Sequence, residues 1–163
     1  MIFTGFIVSL LLGAPAGALT RVSVKADAVE ARLRAADAAL DKADYERARD
    51  ELAAAEYEMD SKDPRIVRVY ERRGAAYLRE GRIKEARDAF TRAIASASTR
   101  KADGPAVSRA YAGMGLCLLK QDNKEFALKF FKRGLAFAPD EGTRMFLEDH
   151  IRELEGGEPE PLR

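Results

Sequence analysis

The side chains best suited to catalysis in this sequence are one cysteine and one histidine. Cys117 and His150 are the sole members of their types among the 163 residues, which argues against histidine-paired triads and multi-histidine metal sites. Cys117 lies between Leu116 and Leu118, where a reduced, packed thiol is expected. His150 is expected to be structural, because a lone histidine near a helix end usually is.

A glycine pair in AGMGLCLL, Gly113 and Gly115, resembles part of a nucleotide-binding loop. That loop needs a third glycine three residues after the second and a strand before it. Leu118 stands at the third place and no strand is predicted, so helix packing through small residues is the better interpretation. The abundant carboxylates alternate with lysines and arginines, as on a solvated helix surface. We therefore predict a non-enzymatic protein with no cofactor and no metal site.

Two stretches of the chain, EGRIKEARDAFTRAI at residues 80–94 and QDNKEFALKFFKRGL at residues 121–135, repeat one pattern. Each carries a small residue, an aromatic four positions later and another small residue three after that. The residues are Ala86, Phe90 and Ala93 in the first stretch, and Ala127, Phe131 and Gly134 in the second. Positions three and four apart share one face of an α-helix, so each stretch predicts a helix that a neighbour can approach closely.

The chain after residue 20 has helical spacing of apolar residues throughout, with high alanine content. The predicted helices span residues 24–41, 45–59, 65–80, 83–98, 108–120, 124–137 and 140–155. Gly81 is predicted to end the third of them in a left-handed conformation. TRKADGP, at residues 99–105, is predicted to be a polar connection.

Residues 67–100 and 108–141 resemble tetratricopeptide repeats (TPRs), which are helix–turn–helix units of about 34 residues. The signature positions are occupied by Tyr70, Gly74, Tyr77, Ala86, Phe90 and Ala93 in the first unit, and by Tyr111, Met114, Gly115, Leu118, Ala127, Phe131, Gly134 and Pro139 in the second. Arg73 departs from the pattern, since a large apolar residue is usual there, and Ser98 replaces the closing proline. Residues 29–62 match more weakly, through Ala36, Tyr45, Ala48, Leu52 and Ala55.

The resemblance implies an all-α fold, in which antiparallel helix pairs stack as a short right-handed TPR solenoid with a C-terminal capping helix. We predict a TPR-like domain at residues 21–155, with about three helix pairs plus the capping helix. Met145, Leu147 and Ile151 are expected to cover the last pair. Residues 156–163, GGEPEPLR, are predicted to be a disordered tail.

The first 20 residues contain no charged side chain. An apolar run from Phe6 to Leu12 is followed by small residues and Pro15, which is typical of a secretory signal with cleavage near Ala18. We therefore expect an exported protein, periplasmic or extracellular. An uncleaved anchor, giving membrane contact through residues 1–20, and a buried amino-terminal helix are the alternatives; three glycines and a proline weaken the anchor.

Charge is unevenly distributed along the chain. Residues 64–139 carry 17 basic and 7 acidic residues, a net of +10, between flanks of −4 and −5. By the resemblance, the first helices of successive repeats line a concave groove. The predicted groove residues are Arg68, Arg72, Ala75, Leu78, Arg79, Arg109, Leu116, Leu119 and Lys120. The alternative is that the charged ones are ordinary solvated helix residues.

These features predict a scaffold or adaptor that binds a protein or peptide partner with acidic groups through the groove. Two alternatives stay open: an accessory subunit of an envelope enzyme or secretion assembly, and attachment to an anionic membrane surface through the basic middle. Nucleic acid is not expected as a partner of an exported protein. Repeat proteins that clamp the carboxylate terminus of chaperones use groove asparagines, whereas this sequence has one asparagine, Asn123, in a predicted turn.

Overall fold

The computed structural model describes residues 16–137 and 139–156, with the backbone alone for residues 16–27. This part of the chain forms seven helices: α1 (Ala16–Asp41), α2 (Tyr45–Glu58), α3 (Ile66–Arg79), α4 (Ile83–Arg100), α5 (Pro105–Leu119), α6 (Lys124–Leu135) and α7 (Glu141–Leu154). Most of the predicted signal or anchor segment (residues 1–20) and of the predicted tail (residues 156–163) lies outside the described residues. None of the described helices is long and apolar enough to cross a membrane.

The helices pair in chain order, α1 with α2, α3 with α4 and α5 with α6. The connection within each pair is so short that its two helices are antiparallel neighbours. The first helices of the pairs also contact one another, α1 with α3 and α3 with α5, and α7 continues this row against α5. Among the described residues the second helices α2, α4 and α6 make no such contacts. The stack therefore curves with α1, α3, α5 and α7 on its inner side.

The turns inside the three pairs have the same backbone geometry. A residue in the left-handed region stands two positions before each second helix: Ala43 (φ 57°), Gly81 (φ 76°) and Asp122 (φ 56°). The next residue's N–H donates to a carbonyl five positions earlier at 2.9 Å in every case, from Asp44 to Ala39, from Arg82 to Tyr77 and from Asn123 to Leu118. The weakly matching first pair is thus the same structural unit as the other two.

Substitutions in these turns should change the stability of the protein in opposite directions in the first and second pairs. Gly81→Ala is expected to lower the free energy of unfolding by about 1 kcal/mol, because a β-carbon is disfavoured at positive φ. Ala43→Gly should raise it by up to about 1 kcal/mol for the same reason. Urea unfolding of the two variants checks both signs, and destabilisation by Ala43→Gly would contradict the argument.

Two helix boundaries differ from the predicted ones at the connection between the second and third pairs. α4 continues to Arg100 and α5 begins at Pro105, so three of the seven residues of the predicted connection are helical. Lys101 ends α4 in the left-handed conformation (φ 50°), and Pro105 fits the first turn of α5, where a missing N–H costs nothing. The residues beyond the usual repeat length therefore lengthen two helices.

The two ends of the stack also differ from the prediction. α1 begins at Ala16, eight residues before the predicted start and directly after Pro15, and no proline interrupts residues 16–24. In the capping helix α7, Leu147 is fully buried and Ile151 half-buried. Met145, however, is 56% exposed, so its predicted role in covering the last pair is wrong. It lies two residues before Leu147 and so on a different side of the helix.

Candidate functional site

The inner helices are held close together by an aromatic ring between two glycines. Phe90, on α4, is 1% exposed. A β-carbon at Gly74, on α3, would lie 2.6 Å from Cε1 of this ring, and a β-carbon at Gly113, on α5, would lie 2.2 Å from its Cζ. Phe90 therefore fills the space between its own pair and the next, which the absence of side chains on both glycines makes possible.

Phe131, on α6, repeats this arrangement in the last pair. A β-carbon at Gly115, on α5, would lie 2.3 Å from Cε1 of the Phe131 ring. The other side of the ring packs on α7, edge-on to Phe146 at 6.2 Å and to His150 at 5.3 Å between ring centroids. Gly113 and Gly115 thus face different neighbours, which confirms the helix-packing interpretation of the glycine pair.

A groove of about 720 Å³ lies on the inner side, between α3, α5 and the beginning of α7. Its lining comprises Ala75, Leu78, Arg79, Phe90, Arg109, Ala112, Gly113, Leu116, Lys120, Asp140, Gly142, Thr143 and Phe146. Most of these residues are apolar, and the cations and Asp140 are the charged members. We call this surface the inner groove.

Six of the nine predicted groove residues line the inner groove: Ala75, Leu78, Arg79, Arg109, Leu116 and Lys120. Arg68 and Arg72 lie outside its lining, nearer the first pair, where their guanidinium groups contact carboxylates of α1. Leu119 also lies outside the lining and packs as a half-buried residue against the core. The remaining lining residues were not predicted.

Arg68, Arg72 and Arg109 belong to a chain of ion pairs that crosses the inner helices. Arg68 contacts Glu30 at 3.0 Å and Asp37 at 2.8 Å. Arg72 contacts Asp37 at 2.7 Å and Glu71 at 3.6 Å. Arg109 contacts Glu71 at 3.6 Å and Asp140 at 2.6 Å. This ionic chain links α1, α3, α5 and the residue that caps α7.

Glu71 is the buried centre of the ionic chain, with 3% of its surface exposed. Its Oε2 atom has no hydrogen-bond partner in the described part of the protein. Burial raises the pKa of the Glu71 carboxyl above its ordinary value, and this effect exceeds the opposing effects of Arg72 and Arg109. Neither arginine approaches closer than 3.6 Å, which explains why they do not offset the loss of solvation.

The fold is similar to proteins of known structure. The tetratricopeptide repeat family model matches residues 65–140. These residues are tetratricopeptide repeats. The N-terminal domain of stress-induced protein-1 (STI-1) from C. elegans is 23% identical, with a TM-score of 0.60, and the match covers 80% of this chain and 97% of that one. The Arabidopsis OM64 TPR domain is 19% identical, with a TM-score of 0.60, covering 79% and 98%.

A third similar structure is that of the TPR2AB domain of yeast Sti1 in a complex with pHSP90. It is 16% identical, with a TM-score of 0.64, and the match covers 78% of this chain and 48% of that one. A search of curated protein sequences finds no match. The structural matches extend the TPR fold beyond residues 65–140, in agreement with the shared turn of the first pair.

Most of the groove residues that the sequence did not reveal lie in the capping helix α7 or directly before it. Asp140 caps α7 by accepting hydrogen bonds from the N–H and hydroxyl of Thr143, both at 2.9 Å. Its other carboxylate oxygen accepts the bond from Arg109. The start of this helix near residue 140 was predicted from the sequence. That α7 packs beside α5 and completes the inner groove follows only from tertiary structure.

The two side chains with catalytic potential lie on different helices, α5 and α7, and both are engaged in packing. Cys117 is fully buried, and burial raises the pKa of its thiol to about 11, so the thiolate needed for nucleophilic attack is disfavoured. Nδ1 of His150 lies 3.0 Å from the carbonyl oxygen of Phe146, one turn earlier in α7. No group of three or more metal-binding side chains occurs among the described residues.

The raised pKa of Glu71 predicts a pH-dependent contribution to stability. The folded protein holds the Glu71 proton more tightly than the unfolded chain, whose glutamate titrates near 4.5. The unfolding free energy should therefore fall as the pH rises from about 4.5 through the raised pKa of Glu71. In Glu71→Gln this component disappears. Urea unfolding of parent and variant over a pH series measures the difference, and a difference that does not vary with pH would refute the prediction.

Proposed function

We propose that this protein is a non-enzymatic adaptor or scaffold that binds a segment of another protein in its inner groove. The observation that carries the proposal is the position and chemistry of the groove. It lies on the concave side of the TPR stack, is largely apolar and has a volume of about 720 Å³. An apolar cleft with a few polar groups is the form that recognition sites usually take.

The fold supports this proposal, because the TPR2AB domain of yeast Sti1 is described in a complex with pHSP90. The ligand of that domain cannot simply be assigned to this protein. Asn123, its single asparagine, caps α6 by accepting a hydrogen bond from the N–H of Phe126 and is absent from the groove lining. We therefore propose a protein partner that is recognised without groove asparagines.

Site-specific photo-crosslinking in cells tests the groove as the binding surface. A photoreactive amino acid is introduced at Leu78 or Leu116 in the groove, and at Thr91 or Ala95 on α4 as controls. The control positions are exposed and outside the groove lining. One protein partner should be crosslinked from both groove positions and from neither control. Equal crosslinking from all four positions, or crosslinking to lipid alone, would overturn the proposal.

Export is part of the same proposal and rests on the uncharged residues 1–20. An exported adaptor would act in the periplasm or outside the cell, and retention of the segment would anchor it at the membrane. Sequencing the amino terminus of the purified native protein distinguishes these fates. A terminus near residue 19 supports cleavage, whereas a soluble protein that begins at Met1 would contradict export.

A further inference from the structure

The cations of the predicted groove differ in whether a carboxylate already neutralises them. Arg68 and Arg72 share Asp37 at 2.8 and 2.7 Å, and Arg109 is 2.6 Å from Asp140. Each of these arginine side chains is less than 30% exposed. Recruiting them to a ligand would break an ion pair within the fold, so these three arginines are poorly placed to recognise an acidic partner.

Arg79 and Lys120 are the groove cations without a carboxylate partner in the described part of the protein. One nitrogen of Arg79, Nη1, donates to the carbonyl of Leu40 at 3.1 Å, which fixes the guanidinium at the end of α1. A guanidinium has five N–H donors, so most of the donors of Arg79 remain available. Lys120 is exposed and directly follows α5.

These two cations lie at the same end of the inner groove. Arg79 is the last residue of α3 and Lys120 follows the last residue of α5, and these helices are adjacent in the inner row. Arg109, near the start of α5, lies at the opposite end with Asp140. Leu78 directly precedes Arg79, Leu116 lies about one helical turn before Lys120, and both leucines line the groove. The groove is therefore basic at one end and neutralised at the other.

We propose that the inner groove binds a polypeptide segment with an apolar side chain next to one or more aspartates or glutamates. The apolar side chain packs on Leu78 and Leu116, and the carboxylates pair with Arg79 and Lys120. This inference rests on the proposed function and adds to it the ligand's chemistry and its orientation. Charge-assisted bonds of this kind select the partner and its direction in the groove.

Selection from a phage-displayed library of random 12-residue peptides tests the inference with the full-length protein as the target. Peptides selected on the parent protein should contain an aliphatic or aromatic residue within two positions of an Asp or Glu. The same selection is made on the double variant Arg79→Glu/Lys120→Glu. Its matched control is Lys84→Glu/Lys124→Glu, which reverses two exposed lysines in the first turns of α4 and α6, outside the groove lining.

Affinities of a selected peptide, synthesised with a fluorescent label, then give the size of the effect. Binding to the groove variant should weaken by about tenfold or more, as expected for losing charged hydrogen bonds, and binding to the control should change less than about threefold. Replacing the peptide's Asp or Glu by Asn or Gln should weaken binding to the parent by a similar factor. Circular dichroism and thermal unfolding verify the fold of each variant, because Arg79 and Lys120 also stabilise helix ends.

A second variant, Arg79→Met/Lys120→Met, removes the charges without introducing acids. It is used in place of Arg79→Glu/Lys120→Glu if that variant does not fold. The inference would be overturned if the selected peptides had no acidic residues, or if they bound the parent and the Arg79/Lys120 variant equally. The groove would still be a binding site in either case. A library that yields no binders to the parent, together with an absence of groove crosslinks in cells, would instead overturn the proposed function.

Discussion

Replacing Phe90 by alanine is expected to lower the free energy of unfolding by about 3 to 5 kcal/mol. The ring is 1% exposed and occupies the space between Gly74 of its own repeat and Gly113 of the next. Truncation therefore removes packing within one pair and between two pairs at once. Because whole-domain stabilities are about 5 to 15 kcal/mol, the variant should unfold at much lower urea concentration than the parent.

Phe126→Ala is the matched control for this prediction. Phe126 is also a phenylalanine on a second helix of a pair, but 49% of its surface is exposed, and its ring contacts the Lys129 side chain at 4.8 Å. Its removal should cost less than about 1 kcal/mol. Equal losses in the two variants, measured by urea unfolding, would show that Phe90 does not join the pairs.

The architecture could be read from the sequence because TPR packing depends on local, repeated spacing. A small residue, an aromatic and another small residue at helical intervals place Phe90 and Phe131 on the packing face, and both are buried in the structure. The first pair was harder to recognise because fewer of its residues match the signature positions, and it also has Ala43 where the second pair has Gly81. The backbone conformation is the same, but alanine gives no sequence signal for a left-handed turn.

The groove was only partly predictable, since its inner wall is built from residues distant in sequence. The position of Leu78, Leu116 and Arg79 follows from their places on first helices. Which cations are paired with carboxylates cannot be read from the sequence, because the partners are distant in the chain. Arg68 is separated from its partner Asp37 by 31 residues, and Arg109 from Asp140 by 31 residues. Counting charges indicated a basic middle of +10, and the structure shows that many of its cations, Arg68, Arg72 and Arg109 among them, are paired with carboxylates within the fold.

The sequence around Glu71 gives no indication that its side chain is buried. It stands directly before Arg72 and Arg73, in a setting that is typical of a solvated face. The structure buries it because α5 packs over this part of α3 and brings Arg109 to 3.6 Å. Charge patterns along one helix therefore do not distinguish a solvated carboxylate from one covered by the next repeat.

Gly113→Ala is expected to destabilise the protein by about 1 to 3 kcal/mol through overpacking, although alanine is the better helix former by roughly 1 kcal/mol. The new methyl group would lie 2.2, 2.5 and 2.6 Å from Cζ, Cε1 and Cε2 of Phe90. The ring has little room to retreat, because it is also packed so closely on Gly74 that a β-carbon there would lie 2.6 Å from its Cε1. Gly142→Ala, on α7, is the control: its nearest neighbour would be Oδ1 of Asp140 at 3.7 Å, and it should be neutral or stabilising.

The sign of the Gly113→Ala effect should reverse when Phe90 is leucine. Leucine lacks all three ring atoms that the methyl group would meet, so the alanine gains its helix preference without a clash. Gly113→Ala should then raise the unfolding free energy by up to about 1 kcal/mol relative to Phe90→Leu alone. The double-mutant cycle, measured by urea unfolding, should give a coupling of at least about 1 kcal/mol between the two positions. Additive effects would mean that Phe90 does not reach the next repeat, and the packing that places α3 beside α5 would need another explanation.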